Sequence, residues 1–114
     1  MTESRDKWCD PQTRALFQAI LTLRTVDEAA RFFRDLMTAH ELQEMRNRWL
    51  AVRRLSEGVP YRTIEEETGM SSRTLARIAR WMQEGEGGYP MMLRRMSRTK
   101  RRSRKGGRTR RGHE

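Results

Sequence analysis

Residues 61–80 read YRTIEEETGMSSRTLARIAR. Ile64 is placed to face inward from a short first helix, and Gly69 provides the positive φ that a tight turn needs. A serine then caps a second helix, in which Leu75 and Ile78 fall on one face. Glycine, capping serine and a pair of inward apolar residues at these offsets predict a helix-turn-helix.

The second helix of this motif carries positive charge on the face opposite Leu75 and Ile78, and no acidic residue lies between Gly69 and Gln83. Arginine can bond guanine through two parallel N–H groups or clamp phosphate, and serines at a helix start can bind phosphate. The residues predicted to contact DNA are Ser71, Ser72, Arg73, Ala76, Arg77 and Arg80. A helical hairpin in a protein-binding domain is the alternative interpretation of the same pattern.

Three helices are predicted before the motif. Asp10 and Pro11 suit the N-cap and first position of a helix that should run to about Leu23. Capping boxes at 25–28 and 38–41 should begin the next two helices. The third helix presents a basic face, made of Arg46, Arg48, Arg53 and Arg54.

The first two of these helices carry apolar residues over arcs wider than one stripe. No sustained alternation of apolar and polar residues predicts a strand, so we expect an all-α fold. A chain this short buries only about 60% of its unfolded surface. We therefore predict an intertwined homodimer that covers the surplus apolar surface. The alternative is that the later helices cover it within one chain.

Positive charge is concentrated at the C-terminus. The chain has 114 residues and a net charge of +10. Residues 94–114 hold 11 of its 25 Lys and Arg and a single acid, which leaves 14 basic and 14 acidic side chains elsewhere. Since residues 98–114 contain nothing apolar to fold around, we predict a disordered basic tail behind a folded domain at 10–97. A neutral body joined to a polycation indicates a nucleic-acid partner.

The composition supports few other classes of protein. No apolar run approaches the ~20 residues of a membrane helix, and the N-terminus lacks the plan of a secretion signal. We expect a cytoplasmic, nucleoid-associated protein with no membrane partner. One cysteine and two histidines are too few for a zinc finger. No cluster of nucleophile and base is visible, so we predict no enzyme activity, no metal and no cofactor.

The motif and its flanking segments resemble the tryptophan operon repressor (Trp repressor) family, and most closely its YerC/YecD-type branch. The resemblance covers about residues 10–97 and implies an all-helical, interlocked dimer that binds double-stranded DNA. The matching positions are Met37, Thr38, Glu41, Arg48, the helix end at 55–58, the motif with Thr74 and Arg77, the segment 85–89 and Leu93.

The same resemblance implies a pocket for a small-molecule effector, because founding members of the family bind L-tryptophan. The matching residues are Thr38, Arg48, Val52, Thr74 and Arg77. Without an effector, the threonines and Arg48 would be structural, and Arg77 would contact DNA, which is the role we favour. Ile78 stands where founding members keep a glycine, and Trp81 where they keep a serine. Both side chains would crowd the pocket, so we predict that L-tryptophan is not the effector.

These observations together predict a sequence-specific DNA-binding transcriptional regulator of the repressor type. The alternative is a nucleoid-associated or RNA-binding protein driven mainly by the basic tail. A DNA-binding fragment of a transposase is a third possibility, which the lack of a carboxylate-rich nuclease segment disfavours.

Overall fold

The computed structural model describes residues 5–99, and every regular element in that range is a helix. The helices are α1 (Arg5–Trp8), α2 (Pro11–Ile20), α3 (Val26–Leu36), α4 (Ala39–Ser56), α5 (Tyr61–Thr68), α6 (Ser72–Glu84) and α7 (88–99). The prediction of an all-α fold is confirmed. Within the described range, none of the helices is long and apolar enough to cross a bilayer.

The predicted boundary between domain and tail falls inside α7, because residues 98 and 99 are still helical. The rest of the predicted tail, 100–114, lies outside the described residues. The chain divides between Trp49 and Leu50, inside α4, into two compact units. The first unit contains α1 to α3 and the beginning of α4, and the second contains the end of α4 and the helices that follow.

Helix α2 begins where predicted but ends early. The Asp10 carboxylate accepts a hydrogen bond from the Thr13 N–H at 2.8 Å. This bond lowers the pKa of Asp10 because it favours the ionised form. The predicted end at about Leu23 is wrong, and α2 stops three residues earlier. The Thr22 hydroxyl and N–H both donate to the Ala19 carbonyl, which closes a turn instead of a further helical turn.

Both predicted capping boxes begin helices. The Thr25 hydroxyl accepts from the Glu28 N–H at 3.0 Å, while the Glu28 carboxylate accepts from the N–H of Arg24 at 2.8 Å. The box at Thr38 is fully reciprocal, with Glu41 N–H to Thr38 Oγ1 at 3.1 Å and Thr38 N–H to Glu41 Oε1 at 2.9 Å. The donation from Thr38 lowers the pKa of Glu41. Local side-chain chemistry thus fixes where α3 and α4 start.

The apolar surfaces of α2 and α3 stay open. Neither helix fully buries any residue. The exposed fractions are 43% for Phe17, 83% for Leu21, 87% for Val26 and 50% for Leu36. The surplus of apolar surface that the sequence predicts for these two helices is therefore present in the folded chain.

The core lies in the second unit. Its fully buried apolar residues are Ala51, Val52, Ile64, Leu75 and Ile78. The end of α4, which supplies the first two, closes in a Schellman motif. Gly58, at a φ of 77°, donates to the Leu55 carbonyl, and Val59 donates to the Arg54 carbonyl. This closure stops α4 and leads the chain into α5.

Candidate nucleic-acid interface

The turn between α5 and α6 has the geometry of a helix-turn-helix. Gly69 caps α5 at a φ of 74°, and its N–H donates to the Glu65 carbonyl at 2.8 Å. A Cβ at Gly69 would meet nothing within 4 Å, so the backbone conformation, and not space, favours glycine there. The Thr68 hydroxyl donates to the Ile64 carbonyl and accepts from the Met70 N–H, which ties the turn to the first helix.

Ser71 begins α6 as its N-cap. Its hydroxyl accepts from the Thr74 N–H at 3.2 Å and lies 3.1 Å from the Thr74 hydroxyl. Ser72, the first residue of the helix, is exposed. The structure therefore gives Ser71 a capping role in the free chain and leaves Ser72 open toward solvent.

The buried and exposed faces of α6 are as predicted. Leu75 is 0% exposed and Ile78 is 1% exposed, so the helix is anchored on the core beneath it. The residues predicted to contact DNA within the helix are all exposed, and they are Ser72, Arg73, Ala76, Arg77 and Arg80. One face of a firmly packed helix thus presents three arginines to solvent.

The three arginines have different surroundings. The Arg73 side chain makes no hydrogen bond or ion pair with any other described residue. The Arg77 guanidinium lies over the Trp81 ring, with its carbon 5.4 Å from the ring centroid. Arg80 Nε lies 3.2 Å from Glu84 Oε2. Contact with DNA is the role predicted from the sequence for all three, and neither partner is predicted although each stands four residues after its arginine.

The predicted basic face of α4 is incomplete, because two carboxylates compensate the positive charge of Arg54. Its Nε lies 3.0 Å from Glu67 Oε1 and its Nη1 lies 3.2 Å from Glu57 Oε1. The hydrogen bond that Arg54 donates to Glu67, reinforced by the one that it donates to Glu57, raises the pKa of Arg54. This ion pair connects the end of α4 to the end of α5, so Arg54 holds the first helix of the motif and is not part of an open cationic surface.

The residues of the predicted effector pocket fall in both units of the chain. Thr38 and Arg48 belong to the first unit, where Thr38 caps α4 and Arg48 is exposed. In the second unit, Val52 is fully buried and presents no surface to a ligand. Thr74 is half-buried and bonded to the N-cap hydroxyl, and Arg77 is exposed.

Helix α7 adds a second cationic surface, of which Arg94 and Arg95 lie in the predicted domain and Arg98 lies in the predicted tail. Arg94, Arg95 and Arg98 are exposed along it. A shallow depression of about 340 Å³ is lined by Leu93, Arg94, Ser97 and Arg98. The spacing of Arg94 and Arg98, four residues apart, could have predicted that they share one side of a helix.

Comparison with known proteins gives consistent matches. The family model for the Trp repressor protein matches residues 11–97, which include α2 to α6. The uncharacterised protein YerC of Bacillus subtilis is 39% identical over 94 residues, covering 82% of this chain and 90% of that protein. A TrpR-like protein from Eubacterium eligens has a similar structure, with a TM-score of 0.75, 35% identity and coverage of 80% of this chain and 95% of the other. A candidate Trp repressor from Staphylococcus aureus gives a TM-score of 0.76, 36% identity and coverage of 84% and 96%.

Proposed function

This chain belongs to the Trp repressor family, in its YerC-type branch, and from that premise we propose that it is a sequence-specific DNA-binding transcriptional regulator. The observation that carries the proposal is the outward face of α6, where three exposed arginines stand above a fully buried Leu75 and Ile78. A helix packed in this way enters a major groove as a rigid body. The family is one of regulators, so we assign the chain no catalytic activity.

Each residue of the outward face has a distinct use on DNA. Arg73 and Arg77 stand four residues apart and can bond guanine through two N–H groups each. Ala76, between them, is small enough to let the helix approach the base edges. Ser72 and the capping Ser71 lie at the helix start, where backbone and hydroxyl donors suit a phosphate.

We further propose that the protein works as a homodimer. The open apolar surfaces of α2 and α3 support this state because a second copy would cover them. Val26, the first residue of α3, is 87% exposed, and Leu21, directly after α2, is 83% exposed. Two copies related by a twofold axis place their recognition helices in successive major grooves, ~34 Å apart. The preferred site should then be a near-palindrome.

Regulation follows from occupancy of such a site. The chain would act as a repressor by excluding the transcription machinery from a promoter, in the cytoplasm and on the nucleoid. Of the residues predicted for a small-molecule effector, Thr38, Arg48, Thr74 and Arg77 stay proposed as ligand contacts, whereas the fully buried Val52 does not, and we propose that L-tryptophan is not the effector. The enclosure of Val52 and Ile78 supports that exclusion, since neither can form an open pocket wall.

Selection of bound sites from random DNA tests the proposal. Full-length protein should yield a near-palindromic consensus. Arg73→Ala should keep the fold and relax specificity at one position in each half-site, at a cost of ~1–3 kcal/mol per lost contact. Gln83→Ala, an exposed change on the same helix, is the matched control and should leave the consensus unchanged. A consensus without twofold symmetry, or one that Arg73→Ala leaves intact, would contradict this docking.

A nucleoid-associated or RNA-binding protein is the rival proposal, supported by the 11 Lys and Arg of residues 94–114. Removal of residues 100–114 separates the two and keeps all the described residues of α7. For a regulator, truncation should weaken binding and lower the salt slope by ~0.9 per lost phosphate contact, while the consensus survives. Loss of all binding together with the absence of any consensus would favour the rival.

A further inference from the structure

We infer that Trp81 is a positioning residue that holds Arg77 for contact with DNA and thereby sets the specificity of α6, an inference that rests on the proposed function. Helix α6 contains two consecutive pairs of the same spacing, Arg77 with Trp81 and Arg80 with Glu84. The partners differ in chemistry, because one is a neutral ring and the other is a carboxylate. The two arginines therefore meet DNA in different states.

The Trp81 ring restrains Arg77 without neutralising it. At 5.4 Å from the ring centroid, the guanidinium carbon lies within the ~6 Å range of a cation–π contact. A ring face takes up none of the five N–H donors of the guanidinium and leaves its charge uncompensated. Arg77 is thus exposed, oriented and fully available to a guanine or a phosphate.

Trp81 is itself held in place. It is half-buried, and it stands one helical turn after Ile78, which is 1% exposed and fixed in the core. The ring therefore spans the border between the packed side of α6 and its outward side. A half-buried ring has fewer rotamers open to it than an exposed one, so it can restrain the Arg77 side chain that lies over it.

Arg80 is in the opposite state. Its Nε is engaged by Glu84, and the two side chains are 75% and 64% exposed, so the pair is weak and open to exchange. A phosphate that binds Arg80 through Nε must displace the Glu84 carboxylate, and a phosphate that binds through the other nitrogens is repelled by the negative charge of Glu84. Arg80 consequently suits a replaceable backbone contact, whereas Arg77 suits a fixed contact to a base.

Pre-orientation by Trp81 should favour the specific complex over the nonspecific one. An arginine that is already oriented loses less rotamer freedom when it forms two bonds to one base. On unrelated DNA the same arginine meets only the phosphate backbone, where many orientations serve equally. Loss of the ring should therefore reduce the ratio of specific to nonspecific affinity.

The experiment measures Kd for the selected site and for unrelated DNA of equal length, at one salt concentration. Trp81→Met preserves apolar bulk but removes the ring, and it should weaken binding to the selected site about two- to five-fold, the equivalent of an exposed cation–π contact. Binding to unrelated DNA should not change. Trp81→Phe retains a ring and should recover part of the loss. Met82→Ala, a half-buried change in the same turn, is the matched control for packing.

A double-mutant cycle identifies the route by which Trp81 acts. In an Arg77→Ala background, Trp81→Met should cause no further loss of specific binding. Glu84→Gln should strengthen binding to both DNAs, because Arg80 is released for phosphate. Thermal melting of each variant identifies effects of folding, and Trp81→Phe provides a second test of the ring if Trp81→Met is unstable.

Equal weakening on both DNAs, an undiminished effect of Trp81→Met in the Arg77→Ala background, or a Trp81→Phe variant no better than Trp81→Met would each overturn the inference. These outcomes are distinct from failure of the proposed function. If the wild-type chain selects no preferred site, the regulator itself is refuted and this inference with it. If the wild-type chain selects a site and Trp81→Met binds that site equally well, only the positioning role of Trp81 is refuted.

Discussion

Helices α2 and α3 resemble the helix-turn-helix of α5 and α6 in local sequence features but differ from it in how far their apolar side chains are buried. Side-chain caps begin α2, α3 and α6, and both regions carry apolar faces. The helix-turn-helix buries Ile64, Leu75 and Ile78 almost completely. In α2 and α3, by contrast, no side chain is fully buried.

The contrast separates helix formation from burial. Local hydrogen bonds are enough to start α3 at Thr25, but they do not cover its apolar face. In the second unit, side chains from α4, α5 and α6 meet and exclude water, so that region has a core within a single chain. The first unit presents comparable apolar surface without such a core. We infer that a second copy of the chain supplies the missing cover.

The largest expected effect tests whether a second copy of the chain covers the apolar faces of α2 and α3. Phe17→Glu should shift the protein from dimer to monomer, since burial of a large apolar side chain contributes ~1.5–3 kcal/mol and twofold symmetry counts it twice. The dissociation constant should rise by roughly 100-fold or more. Sedimentation equilibrium measures it. Gln18→Glu, which adds the same charge at the next position of α2, should remain dimeric, and a monomeric wild type would refute the dimer outright.

A second change addresses the region with its own core. Leu75→Ala should lower the free energy of unfolding by ~2–5 kcal/mol, because it leaves a cavity beneath α6. Urea denaturation at a fixed protein concentration measures the loss. The exposed Gln83→Ala should stay within about 0.5 kcal/mol of wild type. A loss no larger than that control would mean that the inward face of α6 has been assigned wrongly.

Caps should matter about equally in the two regions. Thr25→Ala in the first unit and Ser71→Ala in the second each remove a hydroxyl that accepts one backbone N–H, at a typical cost of ~1 kcal/mol. Denaturant midpoints of both variants measure the losses. A negligible effect of Thr25→Ala beside a normal one for Ser71→Ala would show that α3 depends on packing against another copy more than on its cap.

The smallest expected effect is none at all. L-tryptophan should leave the melting temperature unchanged, because Val52 and Ile78 are enclosed and Trp81 already lies against Arg77. A ligand at 100 times its dissociation constant would add ~2.7 kcal/mol to the free energy of unfolding, which differential scanning fluorimetry detects easily. A clear rise in melting temperature with L-tryptophan, absent with other amino acids, would show that L-tryptophan is an effector of this protein.

The features that the sequence predicts correctly are those whose determinants are local. The caps at Asp10, Thr25 and Thr38 and the turn at Gly69 are encoded within four residues, and all of them form. The inward pair of α6 follows from helical periodicity in the same way. Such features require no knowledge of the rest of the chain.

The failures have physical causes of another kind. The pairing of Arg54 with Glu67 joins positions 13 apart in sequence, and no helical period connects them. The early end of α2 depends on a hydroxyl at Thr22 that competes for a backbone carbonyl, a choice that propensity does not determine. The contact of Arg77 with Trp81 follows the four-residue spacing of a helix, but the same arginine also fits a contact with DNA or with an effector, and the spacing does not choose among these partners.

The ion pair of Arg54 with Glu57 and Glu67 has a consequence for how salt acts on this protein. The pair lies at the surface and links the last turn of α4 to the last turn of α5, so dissolved ions weaken it as they weaken contacts with phosphate. Raising the ionic strength therefore weakens the link that holds α5 of the helix-turn-helix to α4. The dissolved ions also compete with the protein for the phosphates of the nucleic acid. The slope of affinity against salt is then a sum of two processes. Arg54→Met removes the ion pair within the protein, so the salt slope of this variant should report only the number of phosphate contacts.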